Sequence, residues 1–536
     1  MSYRSKITHY SLFISKNIYY LCTKKLRARA APQQLEFISL RSVCTDLAPK
    51  INILGMENKN IMVGRHQELA LLQEIISSPK AELVAVYGRR RIGKTFLIDK
   101  TFDAKYDFYI TGIYEGTRKE QLTNFATQLG IYAKKKYKVP KDWMEAFLML
   151  REYMETLLDK ERIDIFIDEL PWLDTPRSRF LKAFDLFWNG WASKHDNIKL
   201  IVCGSATTWM TNKLLGDKGG LHNRVTKQIY LRPFNLSETE EFLKLRGFDL
   251  SRQHIIETYM AVGGTPYYLD MMSRSLSVAQ NIDALFFSEN APLQKEYNFL
   301  YKSLFKESRL YRRVVEVLSK QMNGLTRQDL IKEIGVEDSG YFSDVLEDLC
   351  NCDFIRSYSA FGKSERDVMY QLTDLYSLFY LRFVKNYHGG DEHYWSHMGQ
   401  DISSWEGYAF EQVCLHHIPQ IKHKLGISGI LTNVCSWSCK SYIGKDGEEH
   451  KGAQIDLIID RGDKTINLCE MKFTNKPFAI SAEYAQRMLE RRDIFREVTG
   501  TNKSLQLTMV TSAGLVHNAG WQSINNEVDV DDLFHV

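Results

Sequence analysis

The chain has 536 residues, of which 44% are hydrophobic and 25% are charged. That length exceeds what one hydrophobic core organises, so we expect about three or four domains of ordinary globular composition. The net charge of +4 is unevenly spread, because residues 1–55 carry nine Lys and Arg against two acidic residues, which leaves −3 for the rest. A generally basic, nucleic-acid-binding body is therefore excluded, and any nucleic-acid contact must be local.

Residues 1–60 are predicted to be a basic, disordered N-terminal extension. Lys16 and Asn17 interrupt its apolar run, which disfavours a signal peptide and leaves open a transit-like sequence or a segment upstream of the true start. No stretch approaches the roughly 18 apolar residues of a membrane helix, so we expect no membrane contact. The nine cysteines form no CxxC pair and are interpreted as free thiols of a cytoplasmic protein.

Strands and helices alternate from residue 61 to residue 235. A strand is predicted at residue 61, followed by an amphipathic helix from Gly64. Further strands are predicted at residues 83–87, 106–113, 163–167, 200–204 and 229–231, and helices at 121–129 and 143–158. This alternation predicts an α/β fold with a doubly wound parallel sheet.

A phosphate-binding loop follows the first buried strand. Residues 88–95 have the sequence GRRRIGKT, which fits GxxxxGK[ST] between a strand and a helix. Gly88 and Gly93 let the backbone turn its N–H groups towards the phosphates of a nucleotide. Lys94 supplies a positive charge to the β- and γ-phosphates, and the Thr95 hydroxyl is a ligand for Mg²⁺.

The predicted nucleotide-binding residues of the loop and first helical turn are Gly88, Arg91, Ile92, Gly93, Lys94, Thr95 and Phe96. The three loop arginines could contact phosphate. The pattern favours the alternative that they point outward or pair with acidic residues, because the loop binds through its backbone.

Acidic and polar residues follow two later strands. Asp168 is predicted to hold Mg²⁺, and Glu169 to orient or deprotonate the attacking water. Ser205 could reach the γ-phosphate, or it could be a turn residue. Arg224 could act on a neighbouring subunit's nucleotide in a homo-oligomer, or it could be an ordinary surface arginine.

Three further segments precede the C-terminal unit. Residues 236–305 are predicted to form a helical lid whose first helix is capped at Ser237. Residues 306–385 have the pattern of three helices and a hairpin, a winged helix-turn-helix, and residues 386–402 are a linker. The region of the third helix, residues 337–350, carries five acidic residues and no Lys or Arg. We therefore expect this unit to pack on the sheet unit or a protein partner rather than enter a DNA groove; contact through Arg356, Lys363 and Arg366 of the hairpin is the alternative.

Residues 403–536 form the last predicted unit, an α/β domain. Its two strands near residues 453–460 and 466–472 form a hairpin that can bring Asp456 close to Glu470, with Glu470 and Lys472 on one face. Two carboxylates and a lysine at one edge can bind Mg²⁺ and hold a water for phosphodiester cleavage.

The motifs at Gly64–Glu68, Tyr87–Thr95, Phe166–Glu169, Gly204–Ser205 and Gly263–Leu269 together resemble the archaeal-type ATPase family of P-loop NTPases, which is related to AAA+ and STAND proteins. The resemblance covers residues 61–385 and implies ATP and Mg²⁺ as cofactors. It also implies that Gly264, Thr265 and Pro266 lie near the base and ribose.

The C-terminal pattern resembles the PD-(D/E)XK restriction-endonuclease-like fold, which often ends members of that family. By this resemblance Glu411, Asp456 and Glu470 match the metal ligands, and Lys472 matches the catalytic lysine. Three functions stay open: an ATPase switch, an ATP-gated metal-dependent nuclease acting on nucleic acid, and a non-hydrolysing ATP-binding scaffold.

Overall fold

The computed structural model describes residues 61–535, apart from gaps at 217–220, 222, 306, 364–367, 399–401 and 444–448. The predicted N-terminal extension lies outside the described residues. Residues 62–536 cluster as one compact unit. None of the helices in the described part of the chain is both long enough and apolar enough to cross a lipid bilayer.

The N-terminal sheet unit is built on five parallel strands in the order β2–β3–β4–β1–β5, as the alternating pattern predicts. The strands are β1 (Glu82–Tyr87), β2 (Phe108–Thr111), β3 (Ile163–Asp168), β4 (Ile198–Gly204) and β5 (Lys227–Tyr230). The helices are α1 (His66–Ser77), α2 (Lys94–Thr101), α3 (Arg118–Tyr132), α4 (Trp143–Glu155), α5 (Leu170–Leu173), α6 (Phe180–Gly190) and α7 (Thr207–Trp209), with a 3₁₀ turn at Ala192–Lys194 and a π turn at Met210–Leu214. Residues 61–65 precede α1 without forming the predicted strand.

The helical lid follows β5. Its helices are α8 (Leu236–Leu245), α9 (Arg252–Val262), α10 (Pro266–Leu269), α11 (Val278–Phe286) and α12 (Glu296–Leu304). The predicted cap at Ser237 is wrong by two residues. Asn235 is the N-cap, because its side chain accepts from the Glu238 N–H while the Glu238 carboxylate accepts from the Asn235 N–H.

Three helices and a small sheet come next, which we call the helix–hairpin unit. They are α13 (Ser308–Leu318), β6 (Leu325–Thr326), α14 (Arg327–Ile334), α15 (Gly340–Asn351), β7 (Ile355–Ser359), β8 (Val368–Leu372) and α16 (Leu375–Phe379), with a π turn at Tyr380–Val384. Strands β7 and β8 pair antiparallel, and we call the described residues 355–363 and 368–372 the 355–372 hairpin. The hydroxyl of Tyr230 on β5 donates to the Asn351 carbonyl oxygen at 3.1 Å, which fixes the end of α15 to the N-terminal sheet unit.

The C-terminal sheet has the order β17–β15–β13–β12–β9. Its unit contains α17 (Tyr394–His397), α18 (Ser403–His416), α19 (Ile418–Lys424), β9 (Thr432–Cys439), β10 (Tyr442–Ile443), β11 (Glu449–His450), β12 (Ala453–Arg461), β13 (Thr465–Lys472), β14 (Phe478–Ala479), α20 (Ala482–Thr499), β15 (Ser504–Thr511), β16 (Leu515–Val516), a 3₁₀ turn at Ala519–Ser523, β17 (Asn526–Val528) and α21 (Val530–Leu533). Strands β12 and β13 are antiparallel neighbours, as predicted.

One hydrophobic core joins the lid, the helix–hairpin unit and the C-terminal unit. The segment predicted as a linker is anchored within it, because the Asp283 carboxylate accepts from the backbone N–H of Trp395 at 2.7 Å. At the other end of the lid, the Leu236 N–H donates to Nε2 of His417 at 2.9 Å. A side chain of the C-terminal unit thus completes the first turn of a lid helix.

Candidate functional site

The phosphate loop crosses the carboxyl end of β1 and needs both of its glycines. Gly88 has φ +142°, and a Cβ there would meet the Leu231 carbonyl oxygen at 2.2 Å. Gly93 has φ +88° and forms the N-cap of α2. Ile92 is buried in the core below the loop, whereas Phe96 is 38% exposed. The loop therefore presents the start of α2 to the sheet edge where ligands of parallel α/β folds bind.

Lys94, Ser205 and Glu169 form one connected polar group at the ends of β1, β4 and β3. The buried Lys94 ammonium donates to the Arg89 carbonyl oxygen at 2.8 Å and to Ser205 Oγ at 3.1 Å. The Ser205 hydroxyl donates to Glu169 Oε1 at 2.5 Å, and its N–H donates to Oε2 at 3.0 Å. The structure thus brings Lys94 and Ser205, which are 111 positions apart in the sequence, into contact, and Glu169 joins them through Ser205.

Thr95 and Asp168 supply oxygen donors beside this group. The Thr95 hydroxyl donates to Asp168 Oδ2 at 3.1 Å. Burial, and after it the charge of Glu169, raises the pKa of Asp168, so a cation beside this carboxylate would be favoured. A hydroxyl and a carboxylate are the hard oxygen ligands that suit Mg²⁺, and these residues fit a magnesium ion shared with nucleotide phosphates.

Two loop arginines turn away from the loop and pair with acidic residues from later in the chain. Arg89 Nη1 lies 2.6 Å from Asp374 Oδ1, and both side chains are 5% exposed. Arg91 Nη1 lies 2.8 Å from Glu296 Oε2, and its guanidinium lies 4.4 Å from the centre of the Tyr267 ring. Sequence analysis missed both acidic partners, because nothing local connects them to the loop.

A cavity of about 610 Å³ lies beside the loop, which is a volume typical of small-ligand sites. Arg89 lines it on the loop side, Gly64 and Arg65 line it before α1, and Gly264 and Thr265 line it in the lid. Pro266 begins α10 directly after Thr265. Gly264, Thr265 and Pro266, which by the family resemblance lie near the base and ribose, therefore line or adjoin this cavity.

Arg224 lies away from this cluster. It is exposed and precedes β5, whose residue Lys227 pairs with Val84 near the amino end of β1. The phosphate loop is at the opposite end of that strand. Arg224 is therefore placed away from the phosphate loop of its own chain.

The predicted C-terminal site residues lie near one another on α18, β12 and β13. Because Leu457 pairs with Cys469 in the antiparallel register, the next positions, Asp456 and Glu470, are neighbours across the two strands. Glu411 on α18 lines a small cavity together with Asp456, and the charges of Asp456 and Glu470 act on its carboxyl. We call Glu411, Asp456 and Glu470 the carboxylate cluster.

Glu470 is held by donors in this arrangement. It accepts hydrogen bonds from Tyr484 Oη at 2.5 Å and Arg491 Nη1 at 2.6 Å, and Lys472 Nζ lies 3.1 Å from it. Burial would raise the pKa of Glu470, but Lys472 and Arg491 together lower it. Among the described residues, no three His, Cys, Asp or Glu side chains form a ready-made metal-binding group. The donor chemistry suits Mg²⁺, but Glu470 would have to exchange these partners for the ion.

Glu411 is the member of the cluster whose titration is most altered. Burial, followed by the charges of Asp456 and Glu470, raises the pKa of Glu411 to about 8. At neutral pH its carboxyl is therefore protonated in the folded chain without a cation, although it would be ionised in the unfolded chain.

This shift predicts how stability depends on pH. Between the ordinary pKa of a glutamate and about 8, the folded chain holds a proton that the unfolded chain has lost, so the stability that Glu411 contributes decreases as pH rises through this window. In EDTA the thermal midpoint should fall by a few degrees between about pH 5.5 and 8, and Glu411→Gln should flatten this slope. The exposed Glu483→Gln is the control; an unchanged slope in Glu411→Gln would contradict the assignment.

The fold class of the N-terminal half is defined by three features. They are the parallel sheet, the glycine-rich loop at the carboxyl end of β1, and the polar residues at the ends of the adjacent strands. It is a P-loop nucleotide-binding fold.

The comparisons agree with that class. Residues 62–272 match the model of an ATPase domain predominantly from Archaea, so this part of the chain carries an archaeal-type ATPase domain. An uncharacterized protein of Methanocaldococcus jannaschii is 24% identical over 422 residues, which are 77% of this chain and 88% of the relative. An uncharacterized ATP-binding protein of the same organism is 44% identical over 45 residues, covering 8% of this chain and 76% of the relative.

Two similar solved structures are also archaeal. The Walker-type ATPase of Pyrococcus abyssi has 20% identity and a TM-score of 0.44, covering 60% of this chain and 96% of its own. The ORC2 protein of Aeropyrum pernix, solved as ADPNP and ADP complexes, has 14% identity and a TM-score of 0.37, covering 60% and 93%.

Proposed function

We propose that this protein is a magnesium-dependent ATPase that works as a nucleotide-driven switch. The observation that carries the proposal is the convergence of Lys94, Ser205 and Glu169 at the ends of three adjacent strands, with Thr95 and Asp168 beside them. A P-loop, a carboxylate for the metal and a second carboxylate for water are the parts that phosphoryl transfer requires.

Each residue has a distinct task in this proposal. The loop N–H groups and Lys94 bind the β- and γ-phosphates, for which Lys94 must leave the Arg89 carbonyl oxygen. Thr95 and Asp168 hold the magnesium ion, whose charge neutralises the phosphate oxygens. Glu169 must also leave Ser205 before it can orient a water, so its contact with Ser205 is a resting arrangement.

Replacement of Glu169 by glutamine tests hydrolysis separately from binding. Glutamine keeps the shape and can still accept from Ser205, but it cannot take a proton from water. We expect MgATP affinity to stay within a few-fold while phosphate release falls about 100-fold. Calorimetry and a phosphate-release assay measure these two quantities, with the surface variant Glu155→Gln as the control.

The same experiment decides between the ATPase switch and a non-hydrolysing scaffold. Tight MgATP binding with no turnover in the unchanged protein would favour the scaffold. Equal turnover in the unchanged protein and in Glu169→Gln would exclude Glu169 as the base.

A second candidate function is favoured by the carboxylate cluster. We propose that Glu411, Asp456 and Glu470 bind a divalent metal and that Lys472 assists cleavage of a nucleic-acid phosphodiester. The supporting observation is that these four residues lie within electrostatic reach of one another on a helix and two paired strands. Nucleic acid would then be a partner of the C-terminal unit.

Glu470→Ala tests this second function. Incubation of DNA and RNA with Mg²⁺ or Mn²⁺, with and without ATP, should give cleavage that falls at least about 100-fold in this variant. Glu483→Ala is a matched control, because it also removes a glutamate of the C-terminal unit. The Glu483 side chain is 83% exposed and pairs with Arg487. Cleavage that persists in Glu470→Ala would refute the assignment.

A further inference from the structure

The 355–372 hairpin lies against the side of the carboxylate cluster formed by Glu411 and Asp456. Tyr358 on β7 accepts a hydrogen bond from Ser436 Oγ on β9 at 3.2 Å, and the Phe361 N–H donates to the Ser436 carbonyl oxygen at 2.8 Å. The Phe361 ring packs against Phe495 of α20 with the ring centres 5.0 Å apart. Tyr358 and Phe361 of the hairpin therefore dock on the edge strand of the C-terminal sheet and on α20.

A second contact lies at the turn before β6. The side-chain amides of Asn323 and Gln454 exchange two hydrogen bonds, of 3.1 and 2.9 Å. The same Gln454 amide donates to Asp456, and Tyr358 donates to the Asn323 carbonyl oxygen at 2.8 Å. The helix–hairpin unit thus reaches a member of the carboxylate cluster through one intervening side chain.

The space left beside the cluster is small. A cavity of about 10 Å³ lies between Arg356, Tyr358 and Gln371 of the hairpin and Glu411 and Asp456 of the C-terminal unit. Such a cavity holds at most one water molecule, so a phosphodiester does not fit between the hairpin and this side of the cluster.

Two polar side chains beside this cavity, those of Gln412 and Arg356, have fewer partners than buried polar groups usually have. Gln412 also lines it and is fully buried, and neither polar atom of its side chain has a hydrogen-bond partner in the described structure. Arg356 is half-buried and donates to Gln371 at 2.7 Å, and no described carboxylate lies within ion-pair distance of it. A half-buried cation and an unpaired buried amide thus lie beside Glu411 and Asp456, and an opened site would give both of them access to a ligand.

The base of the hairpin is held by the phosphate loop. The Arg89 guanidinium pairs with Asp374, two residues after β8, and lies 4.4 Å from the centre of the Phe354 ring, directly before β7. The Asp374 N–H donates to the Phe354 carbonyl oxygen at 3.1 Å. One loop side chain therefore contacts both strands of the hairpin at the end where they leave the sheet.

We propose that the hairpin closes the carboxylate cluster while the phosphate loop is free of triphosphate, and that MgATP opens it through Arg89. This proposal rests on the ATPase and nuclease functions proposed above, and it adds that nucleotide binding controls access to the carboxylate cluster. Triphosphate takes Lys94 from the Arg89 carbonyl oxygen, which frees the backbone of the residue whose guanidinium holds Asp374. Because the closed form uses Arg89 to hold the hairpin, the nucleotide binds the open form more tightly and shifts the population towards it.

Hydrogen exchange tests the coupling without any cleavage assay. The variant Glu169→Gln, which keeps ATP bound, is compared with and without saturating MgATP. We expect amide exchange in residues 355–361 and 434–438 to become at least tenfold faster with MgATP. Unchanged exchange at a concentration where calorimetry shows full occupancy would overturn the proposal, whether or not the protein is a nuclease.

Loosening the hairpin directly tests closure. The double variant Asn323→Ala with Tyr358→Phe removes hydrogen bonds to Gln454 and Ser436 and leaves the hairpin core intact. We expect Mn²⁺, measured by the loss of its free spin-resonance signal, to bind the nucleotide-free double variant about tenfold more tightly than the unchanged protein, which corresponds to about one to two hydrogen bonds. Lys320→Ala, an exposed change near the same turn, should have no effect.

The outcomes separate the two proposals. If the double variant binds Mn²⁺ no better, the hairpin does not close the cluster. If the gain appears and persists in a Glu470→Ala background, the ion lies elsewhere and the closure proposal is again overturned. An exchange response to MgATP in a protein that never cleaves nucleic acid would support the coupling and remove only the nuclease function.

Discussion

Lys94→Ala should lower the kcat/KM of ATP hydrolysis by at least about 1,000-fold, because it removes an ammonium group that contacts both the phosphate loop and Ser205. The loss should appear in binding as well as in turnover, since the charge of Lys94 acts on the β- and γ-phosphates of the ground state and of the transition state. Calorimetric titration with MgATP and a phosphate-release assay measure the two effects.

The same change has a smaller effect on folding. Without Lys94, the Arg89 carbonyl oxygen and the Ser205 hydroxyl lose a buried donor, which costs about 1–3 kcal/mol. Circular dichroism should therefore show a folded protein with a lowered thermal midpoint. Lys105→Ala is the control, because Lys105 is 82% exposed; MgATP heat and turnover that survive in Lys94→Ala would exclude the loop as the nucleotide site.

Asp374→Ala should lower the free energy of unfolding by about 3–5 kcal/mol, because it leaves the Arg89 guanidinium buried without its partner. Burial by itself would lower the pKa of Arg89, and Asp374 more than compensates, so Arg89 stays charged in the folded chain. Asp374 also accepts from the Ser377 N–H at 2.9 Å as the N-cap of α16, and that contact is lost as well. Urea unfolding gives the change in stability.

Two further variants separate these contributions. Asp374→Asn keeps a side chain that can cap α16 and removes only the charge. In the double variant with Arg89→Met no unpaired charge remains, so its loss should be smaller than the sum of the single losses. The exposed Asp338→Ala, which breaks a surface pair with Arg327, should leave the free energy of unfolding nearly unchanged, because solvent screens such a pair. Equal losses for Asp374→Ala and Asp338→Ala would contradict a structural role of the buried pair.

The parts of the structure that the sequence predicts are those with local signals. The phosphate loop has fixed spacing and flanking apolar strands, and the parallel sheet follows from the alternation of strands and helices. The ends of parallel strands lie at one edge, so Asp168, Glu169 and Ser205 could be placed near Lys94 before their contacts were known. Their roles in catalysis stay predictions.

Contacts between distant segments could not be predicted in the same way. Arg89 and Asp374 are 285 residues apart, and neither carries a pattern that selects the other. The helix cap was misplaced because Asn235 and Ser237 both precede an acidic residue by three positions, and only packing decides between them. The docking of the hairpin on β9 likewise depends on surfaces formed after both units have folded.

The bond between Leu236 and His417 limits how this protein can be divided for experiments. A fragment that ends at the predicted boundary near residue 402 would lose the imidazole that accepts from the start of α8, and it would expose apolar side chains that the C-terminal half normally covers. Such a fragment should be poorly soluble and should give misleadingly low ATPase rates. Biochemical work on nucleotide turnover is therefore best done with α18 and α19 retained.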